Sequence, residues 1–146
     1  MLKELVEKGR YSFHKGFADW RDAVRAACQP LLDQGVIKPV YPDEIIKKVE
    51  ELGPYIVIAP NLCIPHAQEG VGVNETAMCF MKTEEPVHFD PDDPDKDARV
   101  FVVLASTDNN IHLQNLALLV ETMSDEEKFA KILKATTPEE LVKIEE

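Results

Sequence analysis

Two of the four histidines sit where ring chemistry is usable. His66 lies in Ile58-Ala-Pro-Asn-Leu-Cys-Ile-Pro-His66-Ala-Gln, directly after an apolar β-branched run and its loop. Pro65 fixes its own φ and pushes Ile64 into an extended conformation, which stiffens the loop that aims the ring. Ligands and reaction centres of open α/β sheets gather beyond strand ends. A neutral imidazole there, with one nitrogen held by a hydrogen bond, keeps the other free as a nucleophile. A surface-loop histidine without a task fits the same spacing equally well. His112 lies in Ser106-Thr-Asp-Asn-Asn-Ile-His112-Leu-Gln-Asn, again just past an apolar run and within the first turn of a predicted helix. Backbone N–H groups at a helix start favour an anion and disfavour an imidazolium, so a neutral ring donating one hydrogen bond is expected. Ser106 and Thr107 add hydroxyl donors, and together these groups make a phosphate-holding corner. Packing beside the helix start is the plainer alternative for His112 alone. Two histidines, each beyond a strand, strengthen the case for a joint role.

The other candidates carry less. His14, in Tyr11-Ser-Phe-His14-Lys, falls in a connector, and His88, in Pro86-Val-His88-Phe, reads as structural. Cys63 and His66 have Cys-x-x-His spacing, but no second pair completes a zinc site. The acidic run Asp90-Pro-Asp-Asp-Pro-Asp-Lys-Asp97 lacks the glycine and closing glutamate of a calcium loop. No metal is expected. Neither a phosphate-cradling glycine loop, a dinucleotide fingerprint nor a Gly-x-Ser-x-Gly elbow is present, so no nucleotide cofactor and no serine-hydrolase chemistry is expected either.

The elements that must position the two rings follow from periodicity. Leu2, Leu5 and Val6 share one face of a short helix stopped by Gly9. A second helix opens at the N-cap Asp19 and carries Trp20, Ala23, Val24, Ala27 and Leu31, with Pro30 bending or ending it. A third starts after Tyr41 with Pro42 at its first position, buries Ile45, Ile46, Val49 and Leu52, and ends at Gly53-Pro54. Tyr55–Ala59, without alternation, reads as a strand buried on both faces. Residues 60–72 read as loop, residues 77–82 and 99–105 as strands, and residues 90–97 as solvated loop. A helix from about Asn110 turns Leu113, Leu116, Ala117, Val120 and Met123 inward. Capping boxes at Ser124 and Thr137 open two more. Helices on both sides of apolar strands argue for an α/β layered fold, and no linker or repeat divides residues 1–146 into more than one domain.

Composition bounds the partners. The 146 residues carry 16 Lys+Arg against 27 Asp+Glu, a formal charge of −11, which repels nucleic acid and anionic lipid and suits a basic protein partner. With 45% apolar residues the chain can build a core. No apolar run approaches the ~20 residues that span a bilayer. The first residues hold no signal-peptide core. Three scattered cysteines make no disulfide scaffold, so a cytoplasmic, reduced setting is expected.

The segments Asp19-Trp-Arg-Asp-Ala, Gln29-Pro-Leu-Leu-Asp-Gln-Gly-Val-Ile37 and Gly53-Pro-Tyr-Ile-Val-Ile-Ala-Pro-Asn-Leu-Cys-Ile-Pro-His-Ala67, with the late Asp108-x-x-x-His112, resemble the enzyme IIA component of bacterial sugar phosphotransferase systems. The resemblance is to the fructose–mannitol type, and within it to the ascorbate branch. It implies a mixed β-sheet flanked by helices, as in mannitol-type enzyme IIA, and a phosphocarrier. His66 matches the histidine that accepts a phosphoryl group from HPr and passes it to enzyme IIB, which phosphorylates a sugar entering through membrane enzyme IIC. His112 matches the histidine that supports the phosphorylated ring. Mannitol-type members also carry an arginine upstream, whereas this chain reads Lys47-Lys-Val-Glu-Glu-Leu. Where ascorbate-type members continue Pro-His-Ala-Arg-Pro-Glu, this chain has Gln68-Glu69-Gly70. The local cation is then expected from elsewhere, Lys82 or Arg99. A stand-alone regulatory module that signals through its phosphorylation state is the second reading. An edge strand or the Cys79–Met81 strand face would support a homodimer.

Overall fold

The strand Asp97–Ala105 is buried on both faces, and the fold is arranged around it. In the computed structural model, which describes residues 1–145, the elements in chain order are α1 (Leu2–Glu7), β1 (Tyr11–His14), α2 (Trp20–Asp33), α3 (Val40–Leu52), β2 (Val57–Ala59), β3 (Asn61–Cys63), β4 (Ala77–His88), β5 (Asp97–Ala105), α4 (Asn109–Met123), α5 (Glu126–Lys134) and α6 (Pro138–Ile144). The five strands form a mixed sheet in the order β1-β4-β5-β3-β2. β1 runs parallel to β4 and β3 parallel to β5, while the β4–β5 and β2–β3 pairs are antiparallel.

Period-2 alternation along β5 builds two cores. Phe101, Val103 and Ala105 point into one layer with Cys79 and Met81 of β4, closed by α2 and α3 through Val24, Leu31, Tyr41 and Ile45. Val100, Val102 and Leu104 point into the other with Phe80, closed by Leu2 and Leu5 of α1, Leu119 of α4, Ile132 of α5 and Leu141 of α6. Helices on both faces leave Cys79 and Met81 with no exposed surface, so that strand face offers nothing to a second copy.

Several elements differ from the sequence expectation. α3 begins at Val40, two residues early, and Pro42 sits inside its first turn. Pro30 does not end α2, which runs on to Asp33; its missing N–H costs only the one bond to the Ala26 carbonyl. β2 is a three-residue edge strand with Ile58 39% exposed, because residues 54–56 turn first to bring Tyr55 under the site. Residues 60–72 contain β3, made possible by Asn61 at φ 69°, which reverses the chain after Pro60. Tyr11–His14 is a strand and not a connector. Ser124 ends α4, and Asp125 caps α5 by accepting from the Lys128 N–H.

Candidate functional site

β3 ends at Cys63, and the next four residues are tied down one after another. The Ile64 N–H donates to the Ile56 carbonyl at 2.8 Å, and the Pro65 carbonyl accepts from the Leu104 N–H at 3.0 Å. The fully buried Tyr41 of α3 closes this arrangement. Its hydroxyl donates to the Leu104 carbonyl at 2.5 Å and accepts from the Ala67 N–H at 3.2 Å. Tyr55 donates its hydroxyl to the His66 carbonyl at 2.5 Å and sets its ring edge-on to the imidazole at 5.3 Å. The His66 loop is therefore fastened to the end of the central strand by the Pro65–Leu104 backbone bond and by the Tyr41 phenol. Substituting Tyr41 by Phe strands a buried carbonyl and a buried N–H. We expect that change to lower stability by about 1–3 kcal/mol in urea unfolding and to raise amide exchange at Ala67.

The His66 ring is half-buried. Its Nδ1 lies 2.6 Å from the Ile64 carbonyl, which can only accept. Nδ1 therefore carries the hydrogen, and the lone pair sits on Nε2. Burial, then the neighbouring His112 and Lys48, hold the ring below its ordinary pKa of 6.5, against the opposing pull of the Ile64 carbonyl. The result is a neutral imidazole with a free nitrogen.

His112 lies on the first turn of α4, whose N-cap Asp108 accepts from the Ile111 N–H at 2.9 Å. The ring is buried, with Nδ1 3.1 Å from the hydroxyl of the fully buried Ser106. The centroids of the His66 and His112 rings are 5.6 Å apart, at 52°. Two residues separated by 46 positions thus meet at the end of β5, beside the N-terminus of a fifteen-residue helix. Thr107, expected as a hydroxyl donor, is engaged with Thr76, whose Oγ1 accepts from the Thr107 N–H at 3.1 Å. Gly70, through its N–H to the Ser106 carbonyl at 2.8 Å, seats the loop after His66 on the same corner.

The cation is not where the sequence pointed. Lys82 pairs in register with Val100, four residues down the strand from Leu104, and its Nζ donates to the Ala135 carbonyl. Arg99 donates from Nε to the Thr83 carbonyl at 3.2 Å and from Nη2 to the Leu133 carbonyl at 3.3 Å. Both neutralise the C-terminal carbonyls of α5, at the far end of the sheet, as helix dipoles favour. Lys48 is the lysine whose charge helps to lower the His66 pKa, after burial and His112. It is half-buried and lies two turns beyond Tyr41 on the same side of α3. That seven-residue helical spacing was the available signal.

The remaining candidates lie elsewhere. His14 is exposed beside Phe17, and His88 bonds Asp97 Oδ1 at 2.8 Å from an exposed position. Cys63 is fully buried, its thiol pushed well up in pKa by that burial.

With this geometry in hand, comparison with known proteins is specific. Residues 4–146 match the family described as phosphoenolpyruvate-dependent sugar phosphotransferase system, EIIA 2. An ascorbate-specific PTS system EIIA component from Mycoplasma pneumoniae is 37% identical over 112 residues, which are 74% of this chain and 69% of that protein. The mannitol-specific cryptic phosphotransferase enzyme IIA of Escherichia coli superposes with a TM-score of 0.83 at 27% identity, covering 92% of this chain and 90% of that one. The fold alone is shared with the E. coli mannitol enzyme IIA determined in complex with phosphorylated enzyme IIB, at a TM-score of 0.79, 23% identity and 92% of each chain.

Proposed function

The chain belongs to the EIIA 2 family of the phosphoenolpyruvate-dependent sugar phosphotransferase system, and from that premise we propose that His66 is its phosphoryl carrier. The observation that carries this reading is the pairing of the two rings, one with a free Nε2 and the other buried beside a helix start.

The Nε2 lone pair of His66 attacks the phosphorus of a phosphohistidine on the donor protein. The donor's N–P bond breaks, its electron pair returns to the donor imidazole, and the new N–P bond forms on His66. Little else is required of the protein than an in-line approach and donors around the three equatorial oxygens. The first N–H groups of α4 and Nε2–H of His112 supply donors, and Lys48 supplies charge. The Ile64 carbonyl keeps its hydrogen bond to Nδ1 throughout, so the imidazolium character that develops on phosphorylation is stabilised through Nδ1–H. The second transfer runs the same step outward to enzyme IIB. HPr is the donor, and the chain's charge of −11 favours encounter with a basic donor face. The mannitol relative bound to phosphorylated IIB supports IIB as the acceptor. The ascorbate-specific relative supports ascorbate as the sugar, which enters through the membrane enzyme IIC. No helix of the described residues is long and apolar enough to cross a membrane.

Incubation with phosphoenolpyruvate, enzyme I and HPr tests the reading: intact mass rises by one phosphoryl group, and its absence overturns the assignment. Two further outcomes follow. Lys48→Glu slows acceptance about tenfold to a hundredfold in single-turnover assays, whereas Lys48→Arg keeps most of it. The pH profile tests the depressed pKa. As pH falls through 6.5 an unperturbed ring becomes half protonated, but His66 stays neutral, so acceptance holds to lower pH before declining. Below 6.5 the unfolded chain binds that proton first, so the same shift makes stability fall with pH in this window.

A further inference from the structure

A cavity of about 260 Å³ opens between α1, the start of β4 and the second turn of α4, away from the His66 ring. Its wall combines five polar or charged side chains, Glu4, Lys8, Arg10, Thr76 and Asn115, with the apolar Leu5, Met78 and Leu118. Arg10 is the unusual member. A guanidinium is rarely buried unless paired, yet Arg10 is only 8% exposed and its pairing is thin. Nε donates to Gln34 Oε1 at 3.0 Å, and Nη2 lies 3.6 Å from Glu75, whose own side chain is 63% exposed. An exposed carboxylate at that distance contributes little. The other charges at the rim cancel one another, Lys8 with Glu4 at 2.9 Å and the Met1 ammonium with Glu145 at 3.1 Å. A fork of N–H donors is thus held in a cavity of mixed polar and apolar lining with a weak, displaceable partner.

We propose that this cavity binds a small monocarboxylate with a short aliphatic tail, its carboxylate held by Arg10 and its tail against Leu5, Met78 and Leu118. Bidentate pairing with a guanidinium is shorter and stronger than the Glu75 contact it replaces. Asn115 and Thr76 add polar groups to the lining, and the cavity has the mixed lining of small-molecule sites. Thr76 also accepts from the Thr107 N–H at 3.1 Å, next to the Ser106 hydroxyl that meets His112. Occupancy is therefore felt at Thr107. Binding here does not require that His66 carry phosphate, so the two readings fail separately.

The test is a ¹H–¹⁵N titration of the full chain with 4-methylpentanoate, with 4-methylpentanamide as the neutral control. Saturable shifts are expected at the amides of Thr76, Thr107 and Asn115, with a Kd on the order of 1 mM. The control binds at least about tenfold more weakly, as loss of a charge-assisted pair requires. Arg10→Gln removes the response. Because that variant also loses the partly buried bond to Gln34, Leu118→Trp, at a position 54% exposed, fills the cavity from outside with Arg10 intact and abolishes the response as well. No saturable shift at these amides, or equal affinity for acid and amide, or shifts unchanged in both variants, overturns the proposal.

Discussion

His66→Gln accepts no phosphoryl group from phospho-HPr, while unfolding at nearly the wild-type denaturant concentration. Glutamine sets an amide nitrogen near the position of Nε2, but that nitrogen has no lone pair available to attack phosphorus. The loss is that of a nucleophile, about 10⁴-fold or more. The fold survives because the ring makes one hydrogen bond, to the Ile64 carbonyl, and sits half-exposed at a loop whose anchors are the Pro65 carbonyl, Ala67 and Tyr55. A stability change of about 1 kcal/mol is expected from that bond. The same assay on His14→Gln and His88→Gln gives full phosphorylation, because both rings are exposed and bonded or packed away from the end of β5. A stoichiometric adduct on His66→Gln would move the carrier role to another residue. Intact mass resolves every case.

How much of this was legible before the coordinates depends on which forces decide each part. Two helix caps were legible, because one side chain and one backbone donor settle them: Asp19 and Thr137 each accept from their own first turn, whereas Asp125 and not Ser124 caps α5. The central strand was legible because a run such as Arg-Val-Phe-Val-Val-Leu-Ala fits only a sheet covered on both faces. The short strands were not. β1 and β3 hold four and three residues, too few to show a period, and they exist because β4 and β5 present open edges to them. The inward face of α4 was misjudged for a related reason. Apolar residues are spread around the helix without one clear stripe, so pattern alone could not orient it; Leu113 is 55% exposed and Val120 39%, while Leu119 is fully buried.

The candidate site divides along the same line. That His112 follows a strand was readable; His66 was read as following Tyr55–Ala59, whereas it leaves β3, and the 5.6 Å approach of the rings follows from β3 and β5 being parallel neighbours with both chains leaving at the same end. The cation was not readable from charge alone. Lys82 and Arg99 are strand residues near the right elements in sequence, but their register places them at the α5 end of the sheet. Only the position of α3, set by burial of Tyr41, brings Lys48 toward the ring. Tyr41 itself was unreadable as a site residue, since its part is to join Ala67 to Leu104 and no local pattern records that.

The His112 variants separate electrostatic support from packing. When the Ser106 hydroxyl is the donor to Nδ1, His112 carries its hydrogen on Nε2, the tautomer that donates to a phosphoryl oxygen. Asparagine reproduces the Nδ1 position and keeps the Ser106 contact; glutamine reproduces the Nε2 position and keeps the donor. If the ring works through that donor, His112→Asn and His112→Ala both slow acceptance from phospho-HPr by about 10²–10³-fold, the usual loss when one preorganised donor is removed, and His112→Gln recovers a large part of it. If the ring merely packs beside the helix start, Asn and Gln behave alike and follow their unfolding midpoints instead. All three variants still place the label on His66, because the nucleophile and its Ile64 partner are untouched. Single-turnover phosphorylation, read beside urea unfolding of the same variants, distinguishes the two. An Asn variant as fast as wild type would leave His112 without a part in the transfer.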